Sequence, residues 1–145
     1  MPGIAERPGP FSPHAKVKGE MNWTAIGAVL MAFAVGLGAF GAHGLRGRLD
    51  EYSLSVYEKA VFYHFVHALG ILLVALLARN SVITSSGQSR VAWLLLIGII
   101  VFSGSLYTLA ISGVRALGAI TPVGGLAFIL GWLWLAYEAI RSQPR

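Results

Sequence analysis

Polar and apolar positions along this chain separate into long blocks instead of alternating. No charged residue falls within Trp23–Ala42, Ala60–Ala78, Val91–Val114 or Ala116–Tyr137. A helix rises about 1.5 Å per residue and the hydrocarbon core of a bilayer is about 30 Å thick, so about 20 residues cross it. Each block has that length, which predicts an all-α fold: an integral membrane four-transmembrane-helix bundle with spans at about 22–42, 60–78, 91–113 and 119–138. Apolar residues run all round these segments, whereas helices of a soluble bundle keep a charged face. A β-barrel would show shorter alternating stretches.

The segments between and around the blocks set the organisation. Residues 1–21 hold four of the six prolines and mixed charges, and read as a disordered N-terminal tail. Residues 22–138 form the transmembrane domain and residues 139–145 a C-terminal tail. The first apolar block begins at Trp23 and is long enough to span, so no cleaved signal is expected. The stretch after Leu49 lacks Gly and Pro, and Asp50 or Ser53 is placed to cap a helix running into the second span. Tyr52 and Tyr57 then fall at headgroup level. Thr121 and Pro122 read as an N-cap and first turn of the fourth span, whose Trp132, Trp134 and Tyr137 suit an aromatic belt.

Composition agrees: 56% of the 145 residues are hydrophobic, 12% are charged and mean hydropathy is +0.70. The net charge of +5 is scattered among tails and loops, so topology and anionic lipid explain it and nucleic acid does not. With four spans the termini share a side with the second connection. That side carries Arg7, Lys16, Lys18, Arg79, Arg90, Arg141 and Arg145 against Arg46, Arg48, Lys59 and Arg115, which places both termini in the cytoplasm. The chain contains no cysteine, so disulfide and thiolate chemistry are excluded.

Candidate chemistry lies inside the spans. His64 and His67 sit in an uncharged run, where an ionisable residue needs a partner. Measured from the span centres, His67 lies about 3 Å and His64 about 7.5 Å from the midplane, and Tyr107 about 7 Å out on the same side. Ser103 and Ser105 share the depth of His67, while His43, Ser112 and Thr121 approach the layer from the span ends. The expectation is an outer-half polar cluster of His43, His64, His67, Ser103, Ser105 and Tyr107. It either binds a small ligand or only fixes helix register by hydrogen bonds. Gly36, Gly38, Gly41 and Gly44, with Gly124 and Gly125, are expected to let helices approach closely.

Other chemistries are weaker. Two histidines three residues apart suit a haem iron or a metal, but the spans supply no carboxylates for a shared site. No nucleophile elbow is visible and no catalytic residue is assigned. No metal or cofactor is expected. A small proton-linked transporter acting as a dimer stays open, with histidines in place of an intramembrane acid, as does a homo-oligomer more generally.

Four ordered segments, GAFGAHGL, YEKAVFYHFVHALGILL, GSLYTLAISG and LGAITPVGGLAFILGWLWLA, resemble the blocks of the domain of unknown function 423 family, which includes bacterial inner-membrane proteins and transmembrane protein 256. The resemblance covers about residues 22–138. It implies a small four-helix protein, multi-pass in a bacterial plasma (inner) membrane, with the bilayer as its surroundings. The family's recurrent positions fall on Gly41, Ala42, His43, Gly44, His64, His67, Ser105, Tyr107, Ser112, Gly113, Pro122, Gly124 and Gly125. It implies no reaction.

Overall fold

A computed structural model describes residues 21–142, so the expectation for the N-terminal tail lies, Met21 aside, outside the described residues. The fold is all-α. Four helices are long and apolar enough to cross a membrane: α1 (Trp23–Leu45), α2 (Glu51–Arg79), α3 (Ser85–Ser112), and α4 (Thr121–Arg141), which continues a 3-10 turn at Arg115–Ala119. Their outward sides are greasy throughout, with Val29, Phe33, Phe62, Leu69, Ile100, Leu126, Ile129 and Leu133 all exposed. Such surface is stable against lipid and costly against water.

Local chemistry fixes the helix ends. Asn22 accepts a hydrogen bond from the amide of Ala25, and Thr84 accepts one from Gly87. Gly113, at φ +73°, closes α3 in the left-handed region and donates its amide to the Leu109 carbonyl at 2.8 Å. The cap of α2 is Asp50, which takes both the amide and the hydroxyl of Ser53, at 2.8 and 3.2 Å. Thr121 differs from the expected cap. Helix α4 starts at Thr121 itself, and its hydroxyl is engaged with Ser105 at 2.9 Å.

Those bonds from Ser53, aided by Arg115 from the connection before α4, hold the Asp50 carboxyl below its ordinary value of 3.8. A lowered folded-state pKa means the stabilisation is fully present above the unfolded value and lost as pH falls through the folded one. The Ser53 amide is therefore expected to be protected at neutral pH, relative to exchange of the unstructured chain at the same pH, and to lose that protection below about pH 4. In Asp50→Ala that protection should be missing at every pH.

Helix α2 is the centre of the bundle, packing on α1 and α3, while α4 packs on α3. Its 29 residues reach about 43 Å, well past the hydrocarbon, so its first turns stand at the interface. Tyr57 nevertheless does not face the headgroups. It is 1% exposed, and its hydroxyl donates to the Leu37 carbonyl of α1 at 2.9 Å, whereas Tyr52 is exposed.

Two apolar cores flank the middle of the bundle. The first, at the end bearing the 80–84 turn, joins Trp23, Ile71, Val74, Val91, Leu95 and Phe128. The second, at the opposite end, joins Leu45, Val56, Tyr57, Leu109 and Ala110. Helices α1 and α3 each contain a π turn, at Gly41–Leu45 and Ile99–Ser103. Such turns take one extra residue and often mark functional positions.

Candidate functional site

The histidines of α2 are both buried, each 5% exposed, but they address different neighbours. His64 meets α3: its Nδ1 lies 3.4 Å from the Tyr107 hydroxyl. Tyr107 in turn packs on Tyr57, with ring centroids 5.1 Å apart, so two tyrosines and a histidine form a continuous run of tilted and edge-on ring contacts. The Nε2 of His64 is buried and makes no hydrogen bond among the described residues; the polar group otherwise near the ring is the Leu30 carbonyl. When Tyr107 donates to Nδ1, the ring proton sits on Nε2, with the Leu30 carbonyl as the polar group beside the ring.

His67 turns toward α4 instead. Its Nδ1 donates to the Tyr63 carbonyl at 2.7 Å, which fixes a proton on that nitrogen. The ring lies against Phe128, centroids 3.4 Å apart and nearly parallel, with Tyr63 and Trp132 around it. Trp132 thus belongs to the interior and not to the aromatic belt. Trp134 and Tyr137 are exposed.

The other expected members of the cluster are placed elsewhere. Ser105 bonds the Phe102 carbonyl and the Thr121 hydroxyl, tying α3 to α4. Ser103 is fully buried and its hydroxyl makes no hydrogen bond among the described residues. Ser112 bonds its own helix at Thr108. His43 is exposed at the end of α1. Tyr107 and His64, at equal depth, meet, whereas His43 lies on the outward side of its helix.

The glycines divide in the same way. A Cβ at Gly41 would come within 2.6 Å of Cε1 of Tyr57, and one at Gly38 would come 3.3 Å from Val61. At Gly124 it would collide with the Phe102 backbone amide, while at Gly125 it would make ordinary contact with the Phe102 ring. Gly44 faces only its own Phe40, and Gly36 meets open space, so neither joins two helices. Gly27, Gly70, Gly98 and Gly131 were not singled out from the sequence, yet each admits a side chain of a neighbouring helix. The available signal was a glycine inside an uninterrupted apolar run.

Beside the His64–Tyr107 pair lies a cavity of about 330 Å³, walled by Leu30, Phe33, Leu37, Ile99, Ile100 and Gly104 from α1 and α3. Among the described residues its only side-chain polar groups are those of His64 and Tyr107. Among the described residues no three metal-ligating side chains come together.

Four apolar helices with a polar pair buried between two greasy cores define a small polytopic integral membrane protein. The chain belongs to the family described as "Protein of unknown function (DUF423)", whose profile matches residues 37–125. It is 50% identical over 116 residues to a UPF0382 membrane protein of Staphylococcus haemolyticus, covering 80% of this chain and 93% of that one. It is 46% identical over 117 residues to the UPF0382 membrane protein YwdK of Bacillus subtilis, covering 80% and 94%. No solved structure matches the chain.

Proposed function

We propose that the protein binds a small, mostly apolar molecule from the bilayer in the cavity beside His64 and Tyr107. The observation that carries this reading is the buried His64–Tyr107 pair in the wall of a cavity otherwise lined by hydrocarbon. A ligand carrying one acceptor oxygen would add a hydrogen bond to this pair, worth about 0.5–1.5 kcal/mol. The volume stands at the small end of the range of about 300–1,000 Å³ usual for ligand sites. Lateral entry between α1 and α3 suits a molecule that partitions into lipid.

The setting we infer is a bacterial plasma membrane with both termini cytoplasmic, supported by the seven-to-four excess of basic residues on the side of the 80–84 turn. The ligand then enters from the outer leaflet, and residues 22–138 act as one domain. The relay and haem readings gain less support, since His64 and His67 point to different helices.

The test is to follow the His64 ring nitrogens by magnetic resonance, using isotope-labelled histidine, while adding decanol, dipentyl ketone or decane to the protein in micelles. A saturable shift at Nε2 is expected with the ketone and the alcohol, none with decane, and loss of the effect in Tyr107→Phe. An identical response to decane would reduce the pair to a packing device.

A further inference from the structure

At the opposite end of the bundle lies a second polar feature that the histidine site does not use. Glu138 falls near the end of α4, beside Arg141, yet it is 4% exposed. Both carboxyl oxygens are engaged: Thr84 donates to Oε2 and Trp134 Nε1 donates to Oε1, each at 3.2 Å. The side chain fits because Gly87 leaves room; a Cβ there would come 2.5 Å from Cδ of Glu138. Above it opens a polar cavity of about 440 Å³ lined by Thr84, Ser86, Arg90, Glu138, Arg141 and Ser142.

A second cavity, of about 400 Å³, adjoins the first and shares Arg90 and Arg141 with it. Its remaining walls are Leu130, Leu133, Trp134 and Tyr137, all outward on α4. The two arginines therefore stand on the border between a polar pocket and an apolar groove running toward the hydrocarbon. Among the described residues each is steadied by a ring and not by a carboxylate. The Arg90 guanidinium lies 5.4 Å from the centroid of the Trp134 ring, and Arg141 Nη1 donates to the Tyr137 hydroxyl at 3.5 Å.

The geometry points to a phospholipid site here, selective for phosphatidylglycerol. The phosphate sits between Arg90 and Arg141, whose planar donors suit phosphate oxygens. An acyl chain lies along Leu130 and Leu133. The glycerol headgroup turns into the polar pocket, where its hydroxyls donate to the Glu138 carboxyl group and to the serine and threonine oxygens. Charge argues for an anionic lipid, since two guanidinium groups face one carboxyl group already bonded on both oxygens. The groove argues for a lipid over a free phosphate, because a soluble ester would leave it empty. Arg90 stands about 7 Å along α3 from Ser85, which is headgroup depth.

Native mass spectrometry of the full chain released from micelles tests this with three probes: phosphatidylglycerol, phosphatidylcholine of the same acyl chains, and the soluble headgroup ester glycerophosphoglycerol. One phosphatidylglycerol should be retained at least tenfold over phosphatidylcholine, and the soluble ester should not displace it. Arg90→Gln and Arg141→Gln, both exposed and free of core contacts, should each bring the preference down severalfold. Glu138→Gln should weaken phosphatidylglycerol without affecting phosphatidylcholine. Equal retention of the two lipids, or a preference that survives loss of both arginines, overturns the site as one of general solvation by lipid. Displacement by the soluble ester overturns the lipid assignment in favour of a phosphate site.

Discussion

Gly124→Ala is expected to destabilise the bundle by about 1–3 kcal/mol, or to prevent its assembly, because the added methyl meets main chain and not a movable side chain. At this point α4 lies directly on the π turn of α3, and a Cβ on Gly124 collides with the Phe102 amide. The only relief is to part the helices, which also breaks the Ser105–Thr121 hydrogen bond one turn away. Gly36→Ala serves as the control, since its new methyl meets open space and should change stability by less than about 0.5 kcal/mol. Unfolding in mixed micelles of increasing denaturing detergent measures both. If the two substitutions behave alike, close approach at Gly124 is not a determinant of the fold.

The second large effect is expected at Phe128, where truncation to alanine should cost about 2–4 kcal/mol. Water-soluble proteins lose about 3–5 kcal/mol at such a site, and the transfer part of that loss is smaller when the helices separate into lipid. Phe128 is 4% exposed and its ring fills the space between His67, Tyr63 and Phe102, against the gap left by Gly98. Removing it opens a void on the α4 side of His67 while leaving the His64–Tyr107 pair in place. A loss of stability is therefore predicted with the ketone response of His64 retained. If Phe128→Ala abolishes that response, the two histidines act as one unit, contrary to the division described above.

That division marks the limit of what the residues reveal on their own. The four spans are legible because an uncharged run has a length, and length alone matches it to the bilayer. Depth is legible for the same reason, which is how Tyr107 is matched to His64. Direction around the helix axis is not. These helices are apolar on every side, so no polar face tells which residues turn inward, and His43, Ser103 and Ser105 share a layer without sharing a neighbour. Tyr57 and Trp132 mislead for a related reason. A tyrosine near a span end or a tryptophan near a cytoplasmic end suits the interface as well as the core, and here the Leu37 carbonyl and the gap at Gly70 draw them inward. Glu138 is hidden by its ordinary position beside Arg141; only the folded contact with Thr84 and Gly87 sets it apart.

The π turn at Ile99–Ser103 divides α3 into two phases. An uninterrupted α-helix advances 100° per residue, and the extra residue of a π turn offsets everything beyond it by about that angle. Upstream of the turn, Val91 and Leu95 follow one line into the core. Downstream, Leu109 and Ala110 follow another, and Tyr107 is carried with them toward His64. In a single phase Tyr107 would stand about a quarter-turn away, out of reach of the imidazole. The meeting of the two residues is thus decided by the counting of the backbone between residues 99 and 103, four residues before the tyrosine itself.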